Sequence, residues 1–319
     1  MRRRGFLAVS TGALTAASGA AAQSTRKRRI GILLHSANDA FEQGFLKALR
    51  DAGYVNGQNI ELLRRDGKAN DALLQQGAAD LVRERVDVIV LWSTDAAAAA
   101  MRATSTIPIV GQLADPLRSG LIKSLARPEA NFTGISSLAF DITAKRVGML
   151  SEALPDARTF AFIGLRGEAN MKAFFETSQE AAAKAGVEMK LSEATGPQDL
   201  ERAIIAALRE GAQGLLLQQI FDPRSAEIAE IALRLRLPAI GGQRLFAEAG
   251  GLLAFGTRPE DNYRLLARYV DRVLSGVPVA NLPFEQAMRS VLIVNLRTAR
   301  LLSLSLPLVL MARADEVID

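Results

Sequence analysis

The sequence predicts an α/β protein with two doubly wound parallel sheets, each in its own Rossmann-like domain. Short apolar runs alternate with amphipathic helical segments along most of the chain, which is the pattern of strands joined by helical crossovers. The same order of elements begins again after about residue 138. The length of 319 residues is enough for two domains, since one domain takes about 100–200 residues.

In the first half, strands are predicted where apolar residues run together, and helices where they recur every three or four positions. Gly53 is expected to end the first helix as a C-cap. The predicted strands are 30–36, 60–63, 86–92, 107–110 and 131–138. The predicted helices begin at Asn38 or Asp39, at Leu73 and, in an alanine-rich segment, after Asp95.

The second half repeats this order without an obvious repeat of sequence. Strands are predicted at 159–165, 187–191, 214–220, 238–241, 251–255 and 291–295. Helices are predicted at 141–154, 169–185, 197–210, 226–235, about 261–274 and from about 298 onwards. The tail over 307–319 is short and amphipathic.

No linker rich in Pro, Gly or Ser separates the halves, so structured crossovers should join them. We expect crossovers near 138–141 and 256–259 and a third near the C-terminus. The first domain then holds 28–138 and about 257–285, and the second holds 139–256 and about 286–319. Two parallel sheets joined this way face each other through the carboxyl ends of their strands, where open α/β sheets bind ligands. The arrangement predicts a clam-shell that closes by hinge motion.

The first 22 residues have the order of an export signal. Three arginines precede an uncharged stretch, and Ala20-Ala21-Ala22 precedes Gln23 as an Ala-x-Ala cleavage site. The run from Arg3 to Leu7 resembles a twin-arginine signal, but Arg2 and Ala8 depart from that pattern, so Tat and Sec export both stay open. No Cys follows the cleavage site, so we expect a periplasmic protein without a lipid anchor.

The excess of basic residues lies at the N-terminus. Of 39 Lys and Arg residues, seven precede Ile30, while no acidic residue precedes Asp39; the remaining chain holds 32 basic and 34 acidic residues. The globular part therefore lacks the basic surface that nucleic-acid binding requires. With no Cys and one His, disulfides, Fe–S clusters and multi-His metal sites are excluded, and we expect no metal or cofactor.

Candidate ligand-binding residues follow the predicted strands. They are His35, Ser36, Ser93, Thr94, Asp115, Pro116, Arg166, Phe221, Asp222 and Gln243. Ser93 and Thr94 can seat an anion, or simply cap a helix. The two Asp-Pro pairs suit an ammonium or hydroxyl group, or form ordinary turns.

The remaining candidates are less specific. Phe221 could form an apolar wall or belong to the core, Arg166 could pair with an anion or stay solvated, and Gln243 is a neutral hydrogen-bonding group. As a catalytic base, His35 would need a nucleophile and an orienting acid, and the sequence identifies no such set. Glycine-rich phosphate loops and a Gly-x-Ser-x-Gly elbow are absent from the sequence.

Several segments together resemble the ABC transporter substrate-binding proteins, which have the type 1 periplasmic binding protein fold. Those segments are 53–60, 104–110, 115–136, 236–256, 269–283, 294–302 and the closing LPLVLMARADEVID. Some members of that family bind aromatic amino acids. One departure is Phe255, where the family commonly has Tyr.

The resemblance implies a monomeric, non-catalytic receptor that captures a small molecule and delivers it to the permease subunits of an ABC transporter. An amino acid or related acid is favoured because the hydroxyls and the Asp-Pro pairs suit a zwitterion. A sugar is less favoured, since the chain has one Trp and three Tyr. The alternatives are a secreted hydrolase-like enzyme using His35, Asp115 and Asp222 in the same cleft, and a sugar-responsive repressor, which would need an N-terminal helix-turn-helix.

Overall fold

The computed structural model describes residues 26–36, 39–127, 130–168, 170–286 and 289–319. Two α/β lobes are present, each a sheet covered by helices on both faces, and this confirms the predicted fold class. The predicted export signal over 1–22 lies outside the described residues. In the described part of the chain, no helix has both the length and the apolar character needed to cross a bilayer.

The first lobe is a six-stranded sheet with the order β11-β5-β4-β3-β1-β2, and all its strand pairs are parallel. Its strands are β1 (Arg28–Leu34), β2 (Ile60–Asp66), β3 (Val88–Leu91), β4 (Ile109–Leu113), β5 (Phe132–Ser136) and β11 (Glu285–Gln286). Its helices are α1 (Asp39–Asp51), α2 (Asp71–Arg83), α3 (Thr94–Ala103) and α9 (Pro259–Leu274). Helices α1 and α9 pack together on one face of the sheet, and α2 and α3 on the other.

The second lobe is a seven-stranded sheet with the order β13-β12-β10-β9-β8-β6-β7. Its strands are β6 (Thr159–Leu165), β7 (Glu188–Ala194), β8 (Gly214–Leu217), β9 (Ala239–Gly241), β10 (Leu253–Thr257), β12 (Ser290–Asn295) and β13 (Glu316–Ile318). Its helices are α4 (Ala139–Ala153), α5 (Met171–Lys184), α6 (Leu200–Arg209), α7 (Ser225–Arg234), α8 (Arg244–Glu248), α10 (Leu296–Leu301) and α11 (Leu308–Ala312). Helices α4 and α5 pack on one face, whereas α6 and α7 cover the other.

The chain passes between the lobes three times. It crosses after β5, again between β10 and α9, and a third time between β11 and β12. Each crossing leaves from the carboxyl end of a strand. Leu138 at the first crossing has a left-handed backbone (φ 53°), a conformation that costs energy for a residue with a side chain.

One strand departs from the predicted parallel sheets. Strand β12 runs antiparallel to β10, with Gly256 opposite Val291. The reason is topological: β12 enters the second lobe from the edge that faces the first lobe, so it starts at the carboxyl end of the neighbouring strands and must run the other way.

Some short elements differ from the sequence prediction. Strand β8 ends at Leu217, and residues predicted to continue it form a 3₁₀ helix over Gln219–Arg224. The short helix α8 and the edge strands β11 and β13 were not predicted, because two to five residues give no readable hydrophobic period.

We expect Gly134→Ala to destabilise the protein strongly. Gly134 has φ +149°, and a Cβ there would overlap the carbonyl oxygen of Gly111 on the adjacent strand β4. Both the unfavourable φ of residue 134 and the overlap with Gly111 involve backbone atoms, which cannot move aside easily. The free energy of unfolding should therefore fall by about 3 kcal/mol or more. Thermal and urea unfolding measure it. The matched control is Gly148→Ala in α4, where a Cβ meets nothing within 4 Å and the change should be neutral or stabilising. Equal stability of the two variants would contradict this account.

Candidate ligand-binding site between the lobes

A cleft of about 890 Å³ lies between the two lobes. Its walls come from the carboxyl ends of β3 and β4 in the first lobe and of β8, β9 and β10 in the second, together with parts of α1, α4 and α9. The sheet order reverses between β1 and β3 and again between β6 and β8. Ligands of doubly wound proteins bind outside the strand ends at such switch points.

The first lobe contributes hydroxyl and amide groups. Ser93 is the N-cap of α3, and its Oγ accepts a hydrogen bond from Ala96 N at 3.2 Å. Thr94 begins the helix beside it. Gln112, at the end of β4, has an Oε1 atom that is sealed from solvent and has no hydrogen-bond partner. A buried acceptor of this kind usually has a partner, so this one is an unsatisfied polar group in the wall of the cleft.

An aromatic group lines the same wall. Phe41 stacks on Trp92 with ring centroids 4.3 Å apart and meets Tyr263 edge-on at 4.9 Å. Gly44 makes room for this group, because a Cβ at that position would overlap the Tyr263 ring. Burial raises the pKa of Tyr263 to about 12, with further contributions from the negative charges of Glu260 and Asp222. The first-lobe Tyr263 therefore lies within electrostatic range of the second-lobe Asp222.

Asp222 is the half-buried acid of the opposite wall. It belongs to the 3₁₀ helix that follows β8, and within the described residues no group donates a hydrogen bond to its carboxylate. Burial raises its pKa from about 3.8 to about 6, although the positive charge of Arg146 opposes that shift. A cation close to this carboxylate would stabilise its charged form and lower its pKa again.

Arg146 lies beside Asp222 and is buried, with 2% of its surface exposed. It projects from α4, and its Nε donates to the carbonyl oxygen of Phe255 at 2.7 Å. Burial lowers its pKa, and the charge of Asp222 partly offsets that effect.

A hydrogen-bonded group holds the loop after β6 at the cleft. Gln218 Nε2 donates to Glu168, and Leu165 N donates to Gln218 Oε1 at 2.8 Å. The backbone N–H of Asn170 donates to Glu168 Oε2 over 2.9 Å, and its side-chain Nδ2 donates to Glu168 Oε1 over 3.1 Å. Because its carboxylate is fully engaged, Glu168 shapes the cleft more than it offers a free charge.

Four of the residues predicted from the sequence line the cleft: Ser93, Thr94, Asp222 and Gln243. Gln243 precedes α8, and its side chain does not cap that helix. The ends of β3, β8 and β9 thus bring together hydroxyl, acid and amide groups from both lobes.

Other predicted residues lie outside this lining. His35 faces Asp95, with Nε2 and Oδ2 3.9 Å apart, and Ser36 beside it is exposed. Arg166 is exposed and pairs with Glu193 at 3.2 Å.

Asp115 and Pro116 also lie outside the lining. The carboxylate of Asp115 accepts the backbone N–H groups of Leu117 and Arg118 at 2.9 and 3.0 Å, so it stabilises its own turn. The hydrolase alternative needs His35, Asp115 and Asp222 in one cleft, and of these only Asp222 lines it.

Phe221 is in the core and does not form a wall of the cleft. It is 3% exposed and packs among residues that join the sheet of the second lobe to α6 and α7. The 3₁₀ helix turns Phe221 inward and leaves the adjacent Asp222 facing the cleft.

The sequence interpretation missed Arg146 and the aromatic group. A signal for Arg146 exists, since it lies four residues from both Ile142 and Leu150, on the buried stripe of α4. A charge in the apolar stripe of a helix is unusual unless it has a partner. The aromatic group has no such signal, because its three members come from α1, the end of β3 and α9.

Known proteins are similar to this chain over nearly its whole length. The family model described as ABC transporter substrate binding protein matches residues 30–318. The tyrosine-binding protein of Clostridioides difficile is 27% identical over 292 residues, covering 88% of this chain and 82% of that protein.

Two solved structures are similar over nearly the whole chain. A conserved domain protein from Vibrio cholerae has a TM-score of 0.79 and 27% identity, covering 92% of this chain and 100% of the other. An ABC domain from Streptococcus pneumoniae in complex with L-Trp has a TM-score of 0.77 with the same coverage. At 19% identity, the second likeness shows the fold alone.

Stability should depend on pH through Asp222. Folding raises the pKa of Asp222 from about 3.8 to about 6, so the folded protein holds this proton more tightly than the unfolded chain. The free energy of unfolding is therefore highest below about pH 4 and falls as the pH rises to 6. We therefore expect the Asp222→Asn variant, free of ligand, to match the wild type at pH 4 and to be more stable by about 1–3 kcal/mol at pH 7. Urea unfolding across pH 4–7 measures this, with the exposed Asp156→Asn as control. Parallel curves for wild type and Asp222→Asn would rule the effect out.

Proposed function

The chain belongs to the ABC transporter substrate-binding protein family, and from that premise we propose that it is the extracytoplasmic solute receptor of an ABC importer. Its ligand is an amino acid or a related acid, held in the cleft between the lobes. It binds this ligand without transforming it and presents the closed, loaded form to the permease subunits.

The observation that carries this proposal is the half-buried Asp222 carboxylate, which has no donor among the described residues and faces the interlobe cleft. Holding an acid out of water without a partner is unfavourable. A ligand ammonium supplies the missing partner, and it arrives where open α/β sheets bind their ligands.

The aromatic group supports a ligand with an aromatic side chain. Phe41, Trp92 and Tyr263 present ring surface on the first lobe. On the second lobe, Phe174 lines the cleft and stacks on Phe140 with centroids 4.4 Å apart. Aromatic rings favour offset and edge-on neighbours at such distances. The relative named as tyrosine-binding is consistent with this choice.

Closure follows from a ligand that touches both lobes. We take the moving units to be 28–138 with about 257–285, and 139–256 with about 286–319. A ligand held by Asp222 on one side and aromatic rings on the other has more contacts in the closed form, so it shifts the population toward closure. Outside the cleft the lobes already touch, where Arg118 donates to Thr177 Oγ1 at 3.1 Å and lies 4.4 Å from the Phe140 ring centroid.

We also propose that the protein is exported from the cytoplasm. Residues 1–22 act as a cleavable signal of the Tat or Sec type, and the mature protein works in the periplasm as a monomer. The family membership supports an extracytoplasmic role and a permease partner.

We expect L-tyrosine, L-tryptophan or L-phenylalanine to raise the thermal unfolding midpoint of the purified protein. A ligand at 100 times its Kd stabilises the native state by about 2.7 kcal/mol, which is a shift of several degrees for a chain of this size. Asp222→Asn should weaken binding at least about tenfold because the ammonium loses its charged partner. The Asp156→Asn control should bind like the wild type.

Calorimetry and mass spectrometry complete this test. The ligand should be recovered chemically unchanged, as a receptor requires. Conversion of the ligand, or a response to sugars and none to any amino or aromatic acid, would contradict the proposed function.

Binding should also weaken in acid. With the Asp222 pKa near 6, most of this carboxyl is protonated at pH 5 and cannot pair with an ammonium. The measured Kd should therefore rise by about tenfold between pH 7 and pH 5. Calorimetry of wild type and Asp222→Asn across this range tests it, since the variant should show a flat profile; an equal slope in both would assign the effect to another group.

A further inference from the structure

We propose that Arg146 is the residue that receives the carboxylate of the ligand, and that the receptor therefore selects molecules with a free acid group. This role rests on the proposed function. It adds the cation that the carboxylate of a ligand needs and that Asp222 cannot supply. Arg146 and Asp222 together form a paired receptor for the two charged groups of a zwitterion.

The hydrogen bonds of Arg146 are incomplete. Its Nε donates to the carbonyl oxygen of Phe255, but within the described part of the chain no acceptor takes a hydrogen bond from Nη1 or Nη2. Asp222 is the nearby anion, yet the two side chains do not form an ion pair within 4.0 Å. A guanidinium has five N–H donors in a fixed fork, so four of them have no acceptor among the described residues.

These free donors are reached from the cleft. Arg146 lines the cleft. Among the described residues, the side-chain N and O atoms that are sealed from solvent and lack a partner are Glu84 Oε2, Gln112 Oε1 and Ser225 Oγ. Nη1 and Nη2 of Arg146 lack a partner but are not among these atoms, so both keep some exposed surface. The guanidinium is thus buried in the wall while its terminal nitrogens stay open to a ligand.

Two glycines keep the space around the guanidinium clear. A Cβ on Gly242 would overlap Arg146 Nη2, and it would lie 3.1 Å from each carboxylate oxygen of Asp222. A Cβ on Gly256 would lie 3.3 Å from the same Nη2. A larger residue at position 242 would therefore crowd both charged groups, which lie on either side of this glycine.

The energetics favour a ligand role for this arginine. A buried guanidinium without a full set of partners destabilises the free protein, and among the described residues Arg146 has one hydrogen-bond acceptor, the carbonyl oxygen of Phe255. A carboxylate fits the planar fork of the guanidinium with two parallel hydrogen bonds, which are stronger than neutral ones. A bound α-amino acid places its ammonium next to its carboxylate, matching the adjacent Asp222 and Arg146.

The experiment compares one variant with two ligands. We expect Arg146→Gln to weaken binding of L-tryptophan or L-tyrosine by roughly 10- to 100-fold. The same variant should change binding of tryptamine or tyramine, which lack the carboxylate, by less than about threefold, because these amines make no bond to lose. Titration calorimetry measures both.

Lys172→Gln is the matched control. Lys172 is an exposed cation of α5 that lies outside the cleft lining and pairs with Glu176 at 3.8 Å, so its removal should leave the binding of both ligands unchanged. If Arg146→Gln does not fold, Arg146→Lys takes its place, since it keeps the charge and loses the fork.

The outcomes separate the two proposals. If the wild type binds neither amino acids nor related acids, the proposed function fails. If the wild type binds them and the arginine variant weakens acid and amine equally, Arg146 is a packing residue and this inference is overturned. Unchanged affinity for the acid in the variant overturns it as well.

Discussion

The structure depends on one constraint: the chain must cross three times between two sheets whose carboxyl edges face each other. The crossings lie after β5, after β10 and between β11 and β12. They require β12 to run antiparallel to β10, and they leave the loops after β3, β4, β8 and β9 to line the space between the lobes. The cleft is therefore a product of topology, and its chemistry is set by the few residues at those strand ends.

Those residues lower the stability of the free protein. Asp222 and Arg146 hold opposite charges in the same wall without an ion pair, and Gln112 leaves an acceptor sealed on the other side. A fold selected for stability alone would pair such groups or replace them with apolar side chains. Their isolation agrees with the proposed function, in which a bound ligand supplies the missing partners.

The sequence is sufficient to predict the alternation of strands and helices, because each main element carries its own hydrophobic period. It also predicts the hydroxyl and acid groups that follow β3 and β8, because polar residues come directly after each of these apolar runs. It cannot predict which side of a 3₁₀ turn faces inward, so Phe221 and Asp222 are assigned together although only Asp222 lines the cleft. The place of Arg146 on the apolar stripe of α4 indicates that it is buried, but the stripe does not show that its guanidinium lines the cleft.

The aromatic group of the first lobe has one more consequence. Trp92 is the single tryptophan of the chain, and it lies half-buried in the cleft with Phe41 stacked against it. Light absorbed at the red edge of the protein spectrum therefore excites one indole, and that indole lines the cleft. The protein contains its own optical reporter: any change in water content or ring packing around Trp92 shifts its emission without a label.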